Sequence, residues 1–140
     1  MMILALAFGL LAILLVGVVV SATAVHLERK RLLALADLAA LEAADTVDLA
    51  GYYAGPPGSP DASPVTLSLD GVRDAVEAYL ESAPAAERFQ DLEVVAATTD
   101  DGRTAVVTLR ATADVPLLTV ATAAWSDGVE LVVTARARAD

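Results

Sequence analysis

The sequence predicts an α+β chain: an N-terminal transmembrane helix continues into a long Ala-rich helix, and a small antiparallel sheet backed by one helix follows. Three observations predict it. Met1 to Val25 is apolar and free of charged side chains, Leu32 to Leu49 is rich in Ala and Leu without Gly or Pro, and two β-rich runs flank Asp100-Asp101-Gly102-Arg103. The division that follows is a membrane helix over 1–25, a juxtamembrane helix over 26–50, a Pro/Gly linker over 51–64 and a small α+β domain over 65–140.

From Ile3 to Val20 every residue is Ala, Leu, Ile, Val, Phe or Gly. Roughly 20 such residues, rising ~1.5 Å each, cross the ~30 Å hydrocarbon core. A helix hydrogen-bonds its own backbone, so the valines at 16 and 18–20 are no obstacle in lipid. Arg29, Lys30 and Arg31 then mark the membrane boundary, at headgroup level. The rival reading is a cleaved secretory signal, for which Ala22-Thr23-Ala24 has the small-x-small form. The run is too long for an ordinary signal core and has no basic segment before it, so the expectation is a retained anchor. Because the basic cluster follows the helix, the positive-inside rule alone would hold the C-terminal domain in the cytoplasm.

Past the boundary, Ala and Leu are strong helix formers and no breaker interrupts them. At about 100° per residue Leu32, Ala36, Ala39, Ala40, Ala43, Ala44 and Val47 share one face, with Asp37, Asp45 and Asp48 on another. Small side chains allow close approach of a second element. Ala36, Ala39, Ala40, Ala43 and Ala44 are therefore a candidate helix interface, whose occupant is either a partner or the chain's own domain. From Gly51 to Pro64 the Gly, Pro and Ser content ends the stalk, with Tyr52 and Tyr53 expected to cap the helix end.

In the distal part, Val65, Leu67 and Leu69 alternate with Thr66 and Ser68 as a short strand would. Asp70 is placed to cap a helix that buries Val72, Val76, Tyr79 and Leu80, with Arg73, Asp74, Glu77 and Glu81 outward and Pro84 as its limit. Leu92 to Thr99 and Thr104 to Val115 form a hairpin, since Gly102 accepts the positive φ of such a turn. Val107, Leu109, Ala111, Ala113 and Val115 face the core. After a crossover containing Trp125 and an Asp127-Gly128 turn, a last strand points Val129, Leu131, Val133, Ala135 and Ala137 inward.

The 140 residues carry nine basic and nineteen acidic side chains, a net charge of −10, which argues against a nucleic-acid partner. Without cysteine the chain has no disulfide staple and no thiolate chemistry. His26, the sole histidine, sits at the membrane boundary, the hydroxyl residues have no base to activate them, and Asp100 and Asp101 read as a solvated turn. Neither a catalytic constellation, nor metal-ligand spacing, nor a cofactor loop is visible, so the expectation is a protein that is not an enzyme and takes no small-molecule substrate.

The stretch Arg29-Lys30-Arg31-Leu32-Leu33-Ala34-Leu35-Ala36-Asp37-Leu38-Ala39-Ala40-Leu41-Glu42-Ala43-Ala44 resembles the TadE/TadG-like proteins of tight-adherence (Flp) pilus systems. Members of that family carry a basic pair, often a Gln, and then an Asp-led alanine run. Asp37, Ala39, Ala40, Leu41, Ala43 and Ala44 match that run, while Leu33 stands where the Gln is usual and Leu38 and Glu42 replace alanines. The strand ending in Val115-Pro116, the apolar crossover and the terminal Thr/Ala/Val strand are similar too. The resemblance implies a membrane-anchored minor pilin or pseudopilin-like assembly component, with other pilus or secretion-system proteins as partners and its domain outside the cytoplasm. That placement opposes the charge rule; basic residues ahead of the anchor, as relatives often have, would reconcile the two. A major pilin is disfavoured, because there is no Gly-Glu processing site. The other reading kept open is an accessory single-pass subunit whose envelope or cytoplasmic partner is unrelated to pili.

Overall fold

The structure, a computed structural model, describes residues 1–53, 67–113 and 128–139, with 46–53 described as helix path alone. Its elements are α1 (Met2–Tyr53), α2 (Leu69–Ser82), β1 (Gln90–Thr99), β2 (Thr104–Ala113) and β3 (Val129–Arg138), with one 3-10 turn at Ala86–Arg88. The three strands form one antiparallel sheet in the order β1-β2-β3.

α1 is continuous from Met2 through Gly51 to Tyr53. A glycine in a helix costs about 1 kcal/mol relative to Ala and does not by itself stop one, so the helix outruns the end expected at Gly51. The linker from 54 onward, the Val65 end of the expected strand, Val115 and Trp125 lie outside the described residues.

α1 has two unlike halves. Among the residues from Met1 to Val20 only Gly17 is as much as half-buried, and Ile3, Leu6, Phe8 and Ile13 stand 65% or more exposed. From Ser21 onward one face is covered: Ser21, Leu32, Leu35, Ala36, Ala39, Ala40, Ala43 and Ala44 are buried, with Ala24 and Val25 packed at the edge of the same core. The covering elements are β3, β2 and α2, and α2 in turn lies against β1. The α+β architecture is the expected one, an apolar N-terminal helix followed by a small antiparallel sheet with a helix packed on it, and the stalk helix packs on the sheet as well. The physical reason is the alanine face: with no side chain beyond Cβ, the helix axis comes close to the sheet along several turns, which gains dispersion contacts that a bulkier face would exclude.

The sheet supplies the other half of the core. Ala105, Val107, Leu109, Ala111 and Ala113 of β2 and Leu131, Val133 and Ala135 of β3 are buried, as period-two alternation requires. Arg110, Glu130, Val132, Thr134 and Arg136 face solvent on the opposite side. There Arg110 reaches Glu130 at 3.7 Å and Glu93 at 4.0 Å, and the Thr108 and Thr134 hydroxyls meet at 3.0 Å. The hairpin turn places Gly102 at φ 68°, as expected. β1 is less regular than the sequence indicates: its register shifts between Gln90 and Glu93 and again between Val94 and Ala96, and Asp91 adopts φ 50°. Bulges of this kind twist an edge strand and disfavour edge-to-edge pairing.

Two local expectations are corrected at the start of α2. Leu67 donates its N–H to the Gly102 carbonyl at 2.9 Å, but no strand follows, because Ser68 is the N-cap and Leu69 is already helical. The Ser68 hydroxyl accepts the Gly71 N–H at 3.1 Å, so the cap is Ser68 and not Asp70. Asp70 lies in the first turn, where its charge meets the positive end of the helix dipole. Val72 and Val76 are buried and Tyr79 and Leu80 half-buried, on the face the periodicity assigns to the core.

Candidate functional site: the apolar helix and its boundary

The bare half of α1, Met2 to Val20, is about 28 Å long at ~1.5 Å per residue, close to the ~30 Å of a bilayer's hydrocarbon core. α1 is a helix long and apolar enough to cross a membrane, and the apolar window is not buried at all inside the molecule. A soluble core helix of this hydropathy would be covered by its own protein; this one is not. Burial begins at Ser21, so the covered half of the helix starts where the membrane-length stretch stops. A serine fits such a boundary because its hydroxyl can return a hydrogen bond to the helix carbonyls, as Thr23 does to Val19 at 2.9 Å.

The boundary residues Arg29, Lys30 and Arg31 lie on exposed positions of α1. They point in three directions around the helix, as consecutive residues must at about 100° each. Arg31 is engaged by Glu28, one turn earlier, and Glu28 is the less exposed partner at 23% against 41%. His26 is exposed beside them. Among the described residues no cluster of three or more His, Asp or Glu side chains is placed to hold a metal ion.

Each of the five candidate interface residues, Ala36, Ala39, Ala40, Ala43 and Ala44, has no exposed surface. Of the two occupants left open by the sequence, the one present is the chain's own domain: the face packs on β2, β3 and α2. Leu35, also buried, was missed, although its spacing of three from Leu32 and four from Ala39 places it at the rim of the same face. Arg88 and Phe89 were missed as well, and with reason. Arg88 ends the 3-10 turn and Phe89 follows it, and both line a groove beside α1 together with Arg31, Leu35 and Leu38, a neighbourhood formed only by tertiary packing.

The fold and this boundary define a class: a small α+β domain built onto the C-terminal half of a helix whose N-terminal half is bare, apolar and of membrane length. Residues 1–46 match the Flp pilus-assembly TadE/G-like family model. The match covers the bare helix, the basic step and the alanine face, which are the features by which the sequence resembles that family, and leaves the sheet unmatched. It supports involvement in Flp pilus assembly. Comparison with curated proteins and with solved structures returned no significant match.

Proposed function

We propose that this protein is a membrane-anchored minor pilin or pseudopilin-like component of a tight-adherence (Flp) pilus or related secretion system, acting by assembly and not by catalysis. The observation that carries the proposal is the family match over residues 1–46, which falls on the part of α1 that the rest of the molecule leaves bare or builds upon. A bare apolar helix of about 28 Å is stable in lipid, where its backbone is satisfied internally, and costly in water. The domain is held on the same helix without an intervening break, so a force or rotation applied to the anchor reaches the sheet through α1. On this reading the partners are other pilus-system proteins and the domain is extracytoplasmic.

The test is genetic and topological. Deleting the gene from a piliated host is expected to reduce surface pili, with restoration by the full-length chain and not by a chain lacking residues 1–20. Protease added to intact spheroplasts is expected to digest the domain. Protection until lysis would place the domain in the cytoplasm, as the Arg29-Lys30-Arg31 step alone predicts, and would favour the accessory-subunit reading.

A further inference from the structure

The two edges of the sheet are built differently. On β1 the register shifts twice, Asp91 takes φ 50° and α2 packs against the strand. β3 pairs with β2 from Val129 to Arg138 without a register shift, and it contains neither a proline nor a charged side chain turned toward the core. Natural sheets blunt exposed edges with bulges, prolines or inward charges, and the edge at β3 has none of these. The Ala139 N–H donates to the Arg103 carbonyl at 2.9 Å, which fixes the alternation of the ladder. Odd-numbered residues of β3 turn their N–H and C=O toward β2, and Glu130, Val132, Thr134, Arg136 and Arg138 turn theirs toward the free edge. Among the described residues those backbone groups have no partner. The side chains of the same five residues stand on the exposed face of the sheet. There Glu130 is engaged by Arg110 at 3.7 Å and Thr134 by Thr108 at 3.0 Å, whereas Val132 is 44% exposed and Arg136 makes no ion pair among the described residues.

We infer that the free edge of β3 takes up an extended segment of a different chain as an antiparallel fourth strand, with a carboxylate opposite Arg136 and, four residues later, a β-branched residue opposite Val132. Unpaired N–H and C=O groups at strand spacing call for an extended backbone as occupant. Cross-strand pairing sets its side chains: an acid meets the unpaired guanidinium, and an apolar β-branched residue covers the exposed valine. The spacing follows from direction, because an antiparallel neighbour passes Arg136 before it reaches Val132. A second copy of this chain does not fit. Arg88 and Phe89 lie beside Arg31, Leu35 and Leu38, and Gln90 pairs with Thr112, so the end of the sheet with Ala113 and Val129 faces the anchor and β3 runs away from it. Two copies in one bilayer therefore hold their β3 strands parallel, and a two-fold axis in that direction sets each edge-facing residue opposite its own counterpart. A parallel ladder needs an edge-facing residue opposite one that faces away, so no ladder forms. The pairing depends on the anchor and not on the pilus reading.

The test is amide hydrogen exchange, read residue by residue on the full-length protein in phosphatidylcholine nanodiscs, with and without a probe. The probe is a labelled nine-residue peptide of β-branched residues with one glutamate four positions ahead of a valine. Without it, the amides of Val132, Thr134 and Arg136 are expected to exchange fast and those of Leu131, Val133 and Ala135 slowly. Adding the peptide is expected to slow the first set by about tenfold or more. The same peptide N-methylated on its ladder-facing amides is expected to bind at least about tenfold more weakly, because its side chains remain and its hydrogen bonds do not. A peptide with lysine for the glutamate is expected to bind more weakly than the glutamate peptide, and Arg136→Glu to reverse that order. Val132→Pro removes one edge-facing N–H without touching the β2 ladder and is expected to lose the peptide. Arg136→Glu leaves the backbone unaltered, so its thermal unfolding is expected to match the parent even if Val132→Pro does not fold. Slow exchange of Val132, Thr134 and Arg136 in the absence of peptide overturns the inference: loss of that protection on dilution gives the edge to a second copy, and its persistence gives it to the chain itself. Equal binding of the N-methylated and unmethylated peptides, or a preference for glutamate that survives Arg136→Glu, overturns it as well.

Discussion

Asp101 accepts both the backbone N–H and the hydroxyl of Thr104, at 2.6 and 3.0 Å, and so closes the β1–β2 turn with a carboxylate. Its pKa lies below the ordinary 3.8, first because of the hydrogen bond from the Arg103 N–H, with the Thr104 bonds and the charge of Arg138 adding to it against an opposing desolvation. A carboxylate whose folded pKa is depressed adds stability that is present above its unfolded pKa and is lost as pH falls through the folded one. The parent is therefore expected to lose an increment of stability as pH falls through the acidic range, below the ordinary carboxylate value, that Asp101→Asn does not lose. Thermal melts of both proteins across that range check it, and parallel curves would remove the turn from the acid response.

Gly128 has φ 102°, and a Cβ added there would meet the Thr112 methyl at 2.5 Å and the Ala113 carbonyl oxygen at 3.1 Å. The obstacle is both conformational and steric, since an L side chain disfavours this backbone and the Ala113 carbonyl belongs to a paired strand. Gly128→Ala is expected to destabilise by about 1–3 kcal/mol. Gly9→Ala, where an added Cβ meets nothing within 4 Å and the helix favours Ala over Gly, is the control expected not to destabilise.

Ala40 has no exposed surface and lies between α1 and the elements packed on it. Ala40→Leu keeps helix propensity and adds volume to a filled contact, so it is expected to cost about 1–3 kcal/mol. For a folded unit of this size that lowers Tm by about 4–8 °C per kcal/mol in the full-length protein. An unchanged Tm would show that α1 and the sheet do not share a core.

The same packing sets the limits of the folding unit. Deleting residues 1–20 removes no buried side chain and is expected to give a soluble protein with near-parent Tm. The fragment 65–140 loses Leu32, Leu35 and the alanine face from its core and is expected not to unfold cooperatively. Melting curves by circular dichroism distinguish the two outcomes.

The sequence alone determined the elements whose signals are local. The charge-free run to Val25, the β-hairpin around Gly102 and the alternation of Leu131, Val133 and Ala135 all rest on periodicity, chain length and turn chemistry, which neighbouring residues specify without help. At the start of α2 two local signals competed, and the Ser68 hydroxyl on the Gly71 N–H outweighed both the alternation of Leu67 and Leu69 and the cap at Asp70. Only the tertiary structure decided what fills the alanine face. A stripe of small side chains announces that something approaches closely, but the identity of the neighbour depends on contacts between residues far apart in the chain, here Ala36 to Ala44 against β2 and β3. The groove at Arg31, Leu38, Arg88 and Phe89 was hidden for the same reason, because two segments that are each unremarkable in sequence become a site only when packing sets them side by side.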